Sequence, residues 1–362
     1  MGTLRAGLIG LPTAGKTTLF QLMTQGTAPA STSKFSRTDA QIGVSTVPDA
    51  RLDELTKLFE PKKHVPATVT FADVIGNSST QSLMDLAAFR ESDALIHVVM
   101  AFETDAVPHP QGSIEPARDI QTVEDELILA DLMVAEKRLE RIKKDRKKHA
   151  GEDLRQEEEI VERCRLHLEK GLPIRSLSLD RVASKILRGF QFLSAKPLLL
   201  VINVNEEETS SLKQDDLLKR LGENFKKTYA STVKVCAKIE LEIAQLEADD
   251  AQAFLQDLGL QRPGLERVVE AAYELLGYIS FFTVGKDECR AWSIPSGTRA
   301  QQAAGEIHSD IERGFIRAEV VDAHKLLARG SMPACRENGE LRLEGKDYIV
   351  QDGDVINFRF AT

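Results

Sequence analysis

The octapeptide Gly10-Leu11-Pro12-Thr13-Ala14-Gly15-Lys16-Thr17 constrains this chain more than any other stretch. It fills every position of G-x-x-x-x-G-K-[ST], after the apolar run Leu4–Ile9 and before a helical pattern starting near Lys16. Two glycines let the backbone wrap closely around phosphate oxygens. The N–H groups of the loop and of the helix start then form a positive concavity. Leu11, Pro12, Thr13, Ala14, Gly15, Lys16, Thr17 and Thr18 are therefore the expected nucleotide-binding residues of a strand–loop–helix unit. Lys16 would reach the β- and γ-phosphates, and the Thr17 hydroxyl would ligate Mg²⁺.

Further strand-length apolar runs follow at Ala67–Val74, Ala94–Val99, Pro197–Val204 and Thr232–Cys236. Continuous apolar runs alternating with helical stretches predict a doubly wound, mostly parallel sheet covered on both faces. Between the third and fourth runs lies a helical insertion, roughly Ile120 to Gly171. Leu132, Ala135, Leu139 and Ile142 repeat at 3-4-3 spacing, and Leu154, Val161 and Leu168 at seven. With a polar step at His149–Asp153, this reads as an antiparallel helical hairpin. Arg141, Lys143, Lys144, Arg146, Lys147 and Lys148 crowd its tip, and the acidic run Glu157–Glu159 follows. Two readings stay open: solvated faces of opposite charge, or a basic prong for RNA phosphates.

After residue 277 the texture changes to short strands at Ile279–Thr283, Glu288–Ser293, Arg317–Val321, Tyr348–Val350 and Val355–Phe360, with one helix between Ala300 and Arg313. The expected organisation is a nucleotide-binding domain over 1–277, a helical insertion within it over 120–190, and a closing α+β domain over 278–362. A chain of 362 residues accommodates two or three such domains. The net charge of −9 opposes indiscriminate nucleic-acid binding, so any RNA contact needs a local basic patch, and no DNA contact is expected. Cys164, Cys236, Cys289 and Cys335 are widely spaced, as for reduced thiols in a cytoplasmic protein. No stretch approaches a membrane span, and a monomer is expected.

Two more motifs complete the pattern. Asp73-Val74-Ile75-Gly76 is D-x-x-G at a strand end; Asp73 would hold Mg²⁺ through a water, and the Gly76 N–H would sense the γ-phosphate. After the run ending at Ile202 comes Asn203-Val204-Asn205-Glu206, where a guanine-specific protein usually carries N-K-x-D. Val204 replaces the lysine and Glu206 the aspartate that accepts from guanine, which weakens guanine preference and opens the site to adenine. Cys236-Ala237-Lys238 stands where S-A-K is expected, its backbone against the base and Cys236 read as a packing thiol.

Taken together, these residues resemble the YchF/Obg-like ATPase family. Pro48-Asp49-Ala50-Arg51-Leu52, Pro61–Thr68, Leu129-Ala130-Asp131-Leu132, Gly305–Glu319, Leu343–Tyr348 and Gln351–Val355 extend the likeness over nearly the whole chain. The resemblance implies a GTPase-type domain that prefers ATP to GTP, a helical hairpin, and a C-terminal β-grasp domain of the TGS type. It also implies association with ribosomes or RNA through the hairpin and the TGS domain. His109 resembles a histidine at the matching point of family members that could position the attacking water; a surface histidine is the other reading. His308 reads as structural. Two segments depart from the family: Asn77–Ser82 after the D-x-x-G glycine is short and Gly-poor, and Arg37 stands where a Mg²⁺-sensing threonine is expected, beside Thr38. The resulting expectation is a slow ATP-hydrolysing switch; the alternative is a nucleotide-gated binding protein with little turnover.

Overall fold

The computed structural model describes residues 5–24, 40–74, 86–104, 108–146, 151–211 and 231–361. Gly76, Asn77–Ser82, Arg37, Thr38, Lys147 and Lys148 lie outside the described residues.

In chain order come Arg5–Ile9 (β1), Lys16–Met23 (α1), Ala40–Thr46 (β2), Ala50–Phe59 (α2), Lys63–Val65 (β3), Thr68–Val74 (β4) and Ala94–Ala101 (β5). Then follow Pro116–Arg146 (α3), Glu152–Leu168 (α4), Arg181–Leu187 (α5), Leu198–Val204 (β6), Glu206–Ser211 (α6) and Ser231–Val235 (β7). The C-terminal strands are Tyr278–Thr283 (β8), Glu288–Pro295 (β9), Phe315–Asp322 (β10), Arg342–Glu344 (β11) and Asp354–Phe360 (β12). Contacts divide the chain into two compact units, Leu4–Gly43 with Thr70–Val268, and Val44–Val69 with Val269–Thr362.

The first sheet has the order β2-β4-β1-β5-β6-β7, and β4, β1, β5, β6 and β7 pair in parallel. β5 and β6 are buried almost throughout, as strands covered on both faces must be. Leu95, Val99, Leu198, Leu200 and Ile202 pack with Ile120, Val123 and Leu127 of α3 in one core cluster. This is the doubly wound P-loop fold. β1 lies between β4 and β5, so the strand order reverses there and leaves a crevice beyond its carboxyl end.

The insertion begins four residues before the expected Ile120, because Pro116 suits a helix's first turn and Asp119 complements its N-terminal dipole. Ala135, Leu139 and Ile142 of α3 and Val161 and Leu168 of α4 are buried as their spacing predicts, whereas Leu154 is only half-buried. Arg138 holds Glu157 through two 2.7 Å bonds, and Arg146 holds Glu158 at 2.6 Å. Part of the basic tip is thus neutralised by the acidic run, while Arg141, Lys143 and Lys144 are exposed. Among the described residues no helix is long and apolar enough to cross a membrane.

The second sheet has the order β11-β10-β12-β8-β9-β3. β8 and β9 form an antiparallel hairpin, β12 runs parallel to β8 at the centre, and β10 is antiparallel to β12. Ala300, Ala303 and Ala304 of the helix Ala300–Ile307 pack on Phe281, Ile294, Val320 and Ile356. This is the expected β-grasp arrangement. The expected helix over 300–313 is interrupted at His308, whose Nδ1 accepts the Asp310 N–H and caps a second helix, Ser309–Arg313. Tyr348–Val350 is not a strand: only one bridge, Arg299 to Ile349, forms there.

Residues from the first third of the chain complete this unit. β3 pairs in parallel with β9, and Arg51 in α2 donates to Asp49 at 2.8 Å and to Asp352 at 2.7 Å. The Arg51 guanidinium also lies 5.3 Å from the Phe282 ring centroid. These bonds, Asp49 foremost, hold that guanidinium firmly protonated.

Candidate functional site

All the motif residues described converge on the carboxyl ends of parallel strands. Gly10 ends the β1 exit with φ +143°, and a Cβ there would lie 2.3 Å from the Val98 carbonyl oxygen. Gly15 has φ +94°, and its Cβ would meet the Asn203 side chain at 2.6 Å. Only glycine fits both positions. Thr13 takes φ +69° without being glycine, so the loop between them is held in a strained turn. Lys16 arches over that loop and donates from Nζ to the carbonyls of Gly10 (3.0 Å) and Leu11 (2.8 Å). Burial lowers its pKa, and the Asp73 carboxylate partly opposes that shift.

The Thr17 hydroxyl donates to Asp73 Oδ2 at 2.9 Å, joining the first turn of α1 to the end of β4. Asp73 is 1% exposed. Burial raises its pKa, while the Thr17 bond and the Lys16 charge pull it down. A hydroxyl and a carboxylate side by side are hard oxygen donors suited to Mg²⁺, and a carboxylate this buried favours a cation beside it. Among the described residues no group of three or more His, Cys, Asp or Glu could hold a metal.

Asn203 links the loops. Its Nδ2 donates to the Ala14 carbonyl at 3.1 Å, and its Oδ1 accepts the Ala237 N–H at 3.0 Å. The phosphate-binding loop and the Cys236–Lys238 turn are thereby tied through one side chain, 3% exposed. Val204 and Cys236 belong to the apolar core, at 1% and 3% exposure, although Val204 also borders a cavity of about 500 Å³. Ala101, Glu103, Pro116, Arg118 and Asn205 line the same cavity. Asn205 Oδ1 accepts the Glu103 N–H at 3.2 Å. Lys238 Nζ meets Glu206 Oε2 at 2.9 Å on the surface.

Among the described residues no hydrogen bond brings His109 to the loop. Its ring is 4% exposed, Nε2 lies 2.8 Å from Asp119 Oδ2, and Nδ1 accepts the Gln111 N–H at 3.1 Å. With Nδ1 accepting, Nε2 carries the proton and donates to Asp119. Arg118 holds the other Asp119 oxygen at 2.8 Å. Sequence reasoning missed Asp119; an acid in the first turn of a helix ten residues on was the available signal. Asp131, which the sequence offered within Leu129–Leu132 but without a role, is fully buried, accepts the N–H groups of Leu193 and Ser194 and pairs with Arg90 at 3.3 Å. Asp131 fixes the turn that leads into β6.

Comparison with known proteins places this geometry. The family model YchF-GTPase_C, "Protein of unknown function (DUF933)", matches residues 278–361. The chain is 42% identical to the "Ribosome-binding ATPase YchF" of Bacillus subtilis (strain 168), covering 99% of both chains. It is 38% identical to the protein of that name from Escherichia coli O157:H7, covering 98% of this chain and 99% of the other. The solved structure of the Schizosaccharomyces pombe YchF GTPase superposes with a TM-score of 0.86 at 29% identity, over 99% of this chain and 98% of that one. With identity above two-fifths running end to end, and one fold shared throughout, the chain belongs to the YchF family.

Proposed function

We propose that the chain is a nucleotide-dependent switch that binds ATP with Mg²⁺ in preference to GTP, hydrolyses it slowly, and acts in the cytoplasm on the ribosome. The observation that carries the reading is the 2.9 Å bond from Thr17 to Asp73 beneath a glycine loop capped by Lys16. Three charges and dipoles that a triphosphate requires are already assembled at one strand-end crevice. The names of the similar proteins, ribosome-binding ATPases, support the substrate and the partner.

Each residue has a task in this reading. Lys16 releases the Gly10 and Leu11 carbonyls and turns to the β- and γ-phosphates. Thr17 and Asp73 would hold Mg²⁺, which when bound neutralises charge building on the phosphate oxygens. Gly76 would sense the γ-phosphate. Asn203 keeps the loop and the base-side turn in register, and Val204, Glu206, Cys236, Ala237 and Lys238 border the base. The Glu206 carboxylate is committed to Lys238, which leaves guanine's donors without their usual acceptor and favours adenine.

A second reading, an ATP-gated binding protein with little turnover, draws on one observation: both ring nitrogens of His109 are engaged. To orient a water, His109 must leave Asp119. Phosphate release from ATP, measured with and without ribosomes, decides between the two. The switch reading expects turnover that His109→Ala lowers at least tenfold while ATP affinity is kept. Turnover absent in both conditions, or indifferent to His109, overturns it in favour of the second.

A further inference from the structure

The segment from β5 to α3 leaves the sheet beside β1, at the crevice into which the phosphate-binding loop opens. Within it, His109 begins a tight turn. The Gly112 N–H donates to the His109 carbonyl at 2.9 Å, and Pro110 suits the turn's second position. Three bonds fasten this turn to the start of α3. Gln111 reaches Thr122 at only 3.4 Å, on the surface. Arg118 donates to the Ser113 carbonyl at 2.6 Å, also on the surface. The third bond, His109 Nε2 to Asp119 Oδ2 at 2.8 Å, is buried at both ends. Arg118 braces it from behind, donating to Asp119 Oδ1 from Nε at 3.0 Å and from Nη2 at 2.8 Å. The N-terminal turn of a 31-residue helix favours the Asp119 charge as well.

We propose that Asp119, braced by Arg118, is a positioning residue that latches His109 away from the attacking water, so that hydrolysis waits on the opening of this contact. The proposal rests on the hydrolysis reading above and adds the group that restrains it. Access is the first argument. The His109 ring is buried and both its nitrogens are engaged, so it can meet a water only after the contact opens. Energetics is the second. A buried ionisable pair adds little stability over apolar side chains of similar bulk, and such pairs gather at functional sites. A bond to a charged group is strong enough to hold a loop and weak enough to be opened by a partner. The third argument is reach. The Arg118 side chain is partly exposed and lines the same cavity as Val204 and Asn205. The brace of the latch therefore shares a cavity with the base-side loop, and can be disturbed without first unburying His109.

Asp119→Asn is the discriminating change. Asparagine has one acceptor oxygen where Asp119 uses two, so its amide must face either the His109 N–H or the Arg118 guanidinium, donor against donor. In the full-length chain this variant is expected to raise ribosome-free phosphate release from ATP about tenfold, with KM for ATP unchanged. A merely structural role would not raise kcat. Arg118→Met keeps the His109 bond and removes only its brace, so it should give a smaller rise; it also serves if Asp119→Asn does not fold. Asp119→Asn combined with His109→Ala should fall to the level of His109→Ala alone, because the gain passes through that ring. Proton NMR with isotope-labelled histidine reads the contact without turnover. The His109 Nε2–H, assigned by its loss in His109→Ala, should exchange slowly with water in the parent and fast in Asp119→Asn. The latch alone is overturned if His109-dependent release is seen but neither variant raises it, or if the parent shows no protected His109 proton. No release from any sample, with or without ribosomes, overturns the hydrolysis reading and the latch together.

Discussion

Lys238 holds the carboxylate of Glu206 at 2.9 Å, and Glu206 occupies the sequence position where N-K-x-D carries its aspartate. A cation on that carboxylate competes with the N1 and N2 donors of guanine for the same oxygens. Removing the cation should therefore open the site. Lys238→Met is expected to shift the ATP-to-GTP affinity ratio toward GTP, by less than tenfold because the pair is exposed to water. Calorimetric titration of both nucleotides reads the ratio directly, and an unchanged value would refute this account of base choice. Restoring a lysine at Val204 is the poorer experiment, since Val204 is 1% exposed and the charge would enter the core.

Lys16→Ala should weaken nucleotide binding at least tenfold, about 1.4 kcal/mol or more. Asp73→Asn should abolish the gain in ATP affinity that Mg²⁺ confers while leaving Mg²⁺-free binding close to the parent's. The Asp73 pKa lies above the ordinary aspartate value, chiefly because of burial. A carboxyl raised in this way takes up its proton early as pH falls, so the Mg²⁺-dependent part of ATP affinity should be lost at a higher pH than for an exposed aspartate. Titrations at stepped pH, with and without Mg²⁺, check both claims.

Asn203→Ala removes the donor to Ala14 and the acceptor for Ala237 at once, in a buried place. A stability loss of about 1–3 kcal/mol is expected, seen as a lower denaturation midpoint. Nucleotide affinity should fall as well, because the loop and the turn lose their common tie. Asn203→Asp keeps the acceptor but not the donor, and should lose loop order while retaining the turn.

His97 in β5 is 2% exposed, and burial foremost, with Lys16 and Arg175 adding repulsion, lowers its pKa to about 3. The unfolded chain binds a proton at this residue near pH 6.5, whereas the folded chain stays neutral. Its contribution to stability is therefore whole above pH 6.5 and is lost as pH falls from there toward 3, at up to about 1.4 kcal/mol per pH unit. His97→Met, apolar and of similar bulk, should flatten that slope. A denaturation series between pH 4 and 7, with the unfolded chain as reference, measures it.

Much of the candidate site's geometry was legible because its residues are short-range signals. Gly10, Gly15 and Lys16 declare themselves by spacing, and β5 and β6 by unbroken apolar runs. Asp73 could be placed at a strand end from Ala67–Val74 alone. What stayed hidden depends on partners distant in the chain. Lys63-His64-Val65 is too polar to announce a strand, and it becomes one only because β9 offers a ladder. The engagement of His109 by Asp119 follows from the packing of α3, which no local pattern encodes. At Tyr348–Val350 an apolar pattern looked like a strand, yet Tyr348 instead gives its hydroxyl to Asp354 at 2.7 Å.

The clasp of Arg51 on Asp352 spans 301 residues of chain. At a synthesis rate of roughly 5–20 residues per second, Arg51 leaves the ribosome about 15 to 60 seconds before its partner does. For most of that interval β3 has no β9 to join and α2 lacks the surface it will cover. A gene truncated before residue 278 would strand both, and a gene that starts there would yield a sheet with an open edge. The C-terminal unit is therefore written in two instalments, and its first is held in trust until the last residues are made.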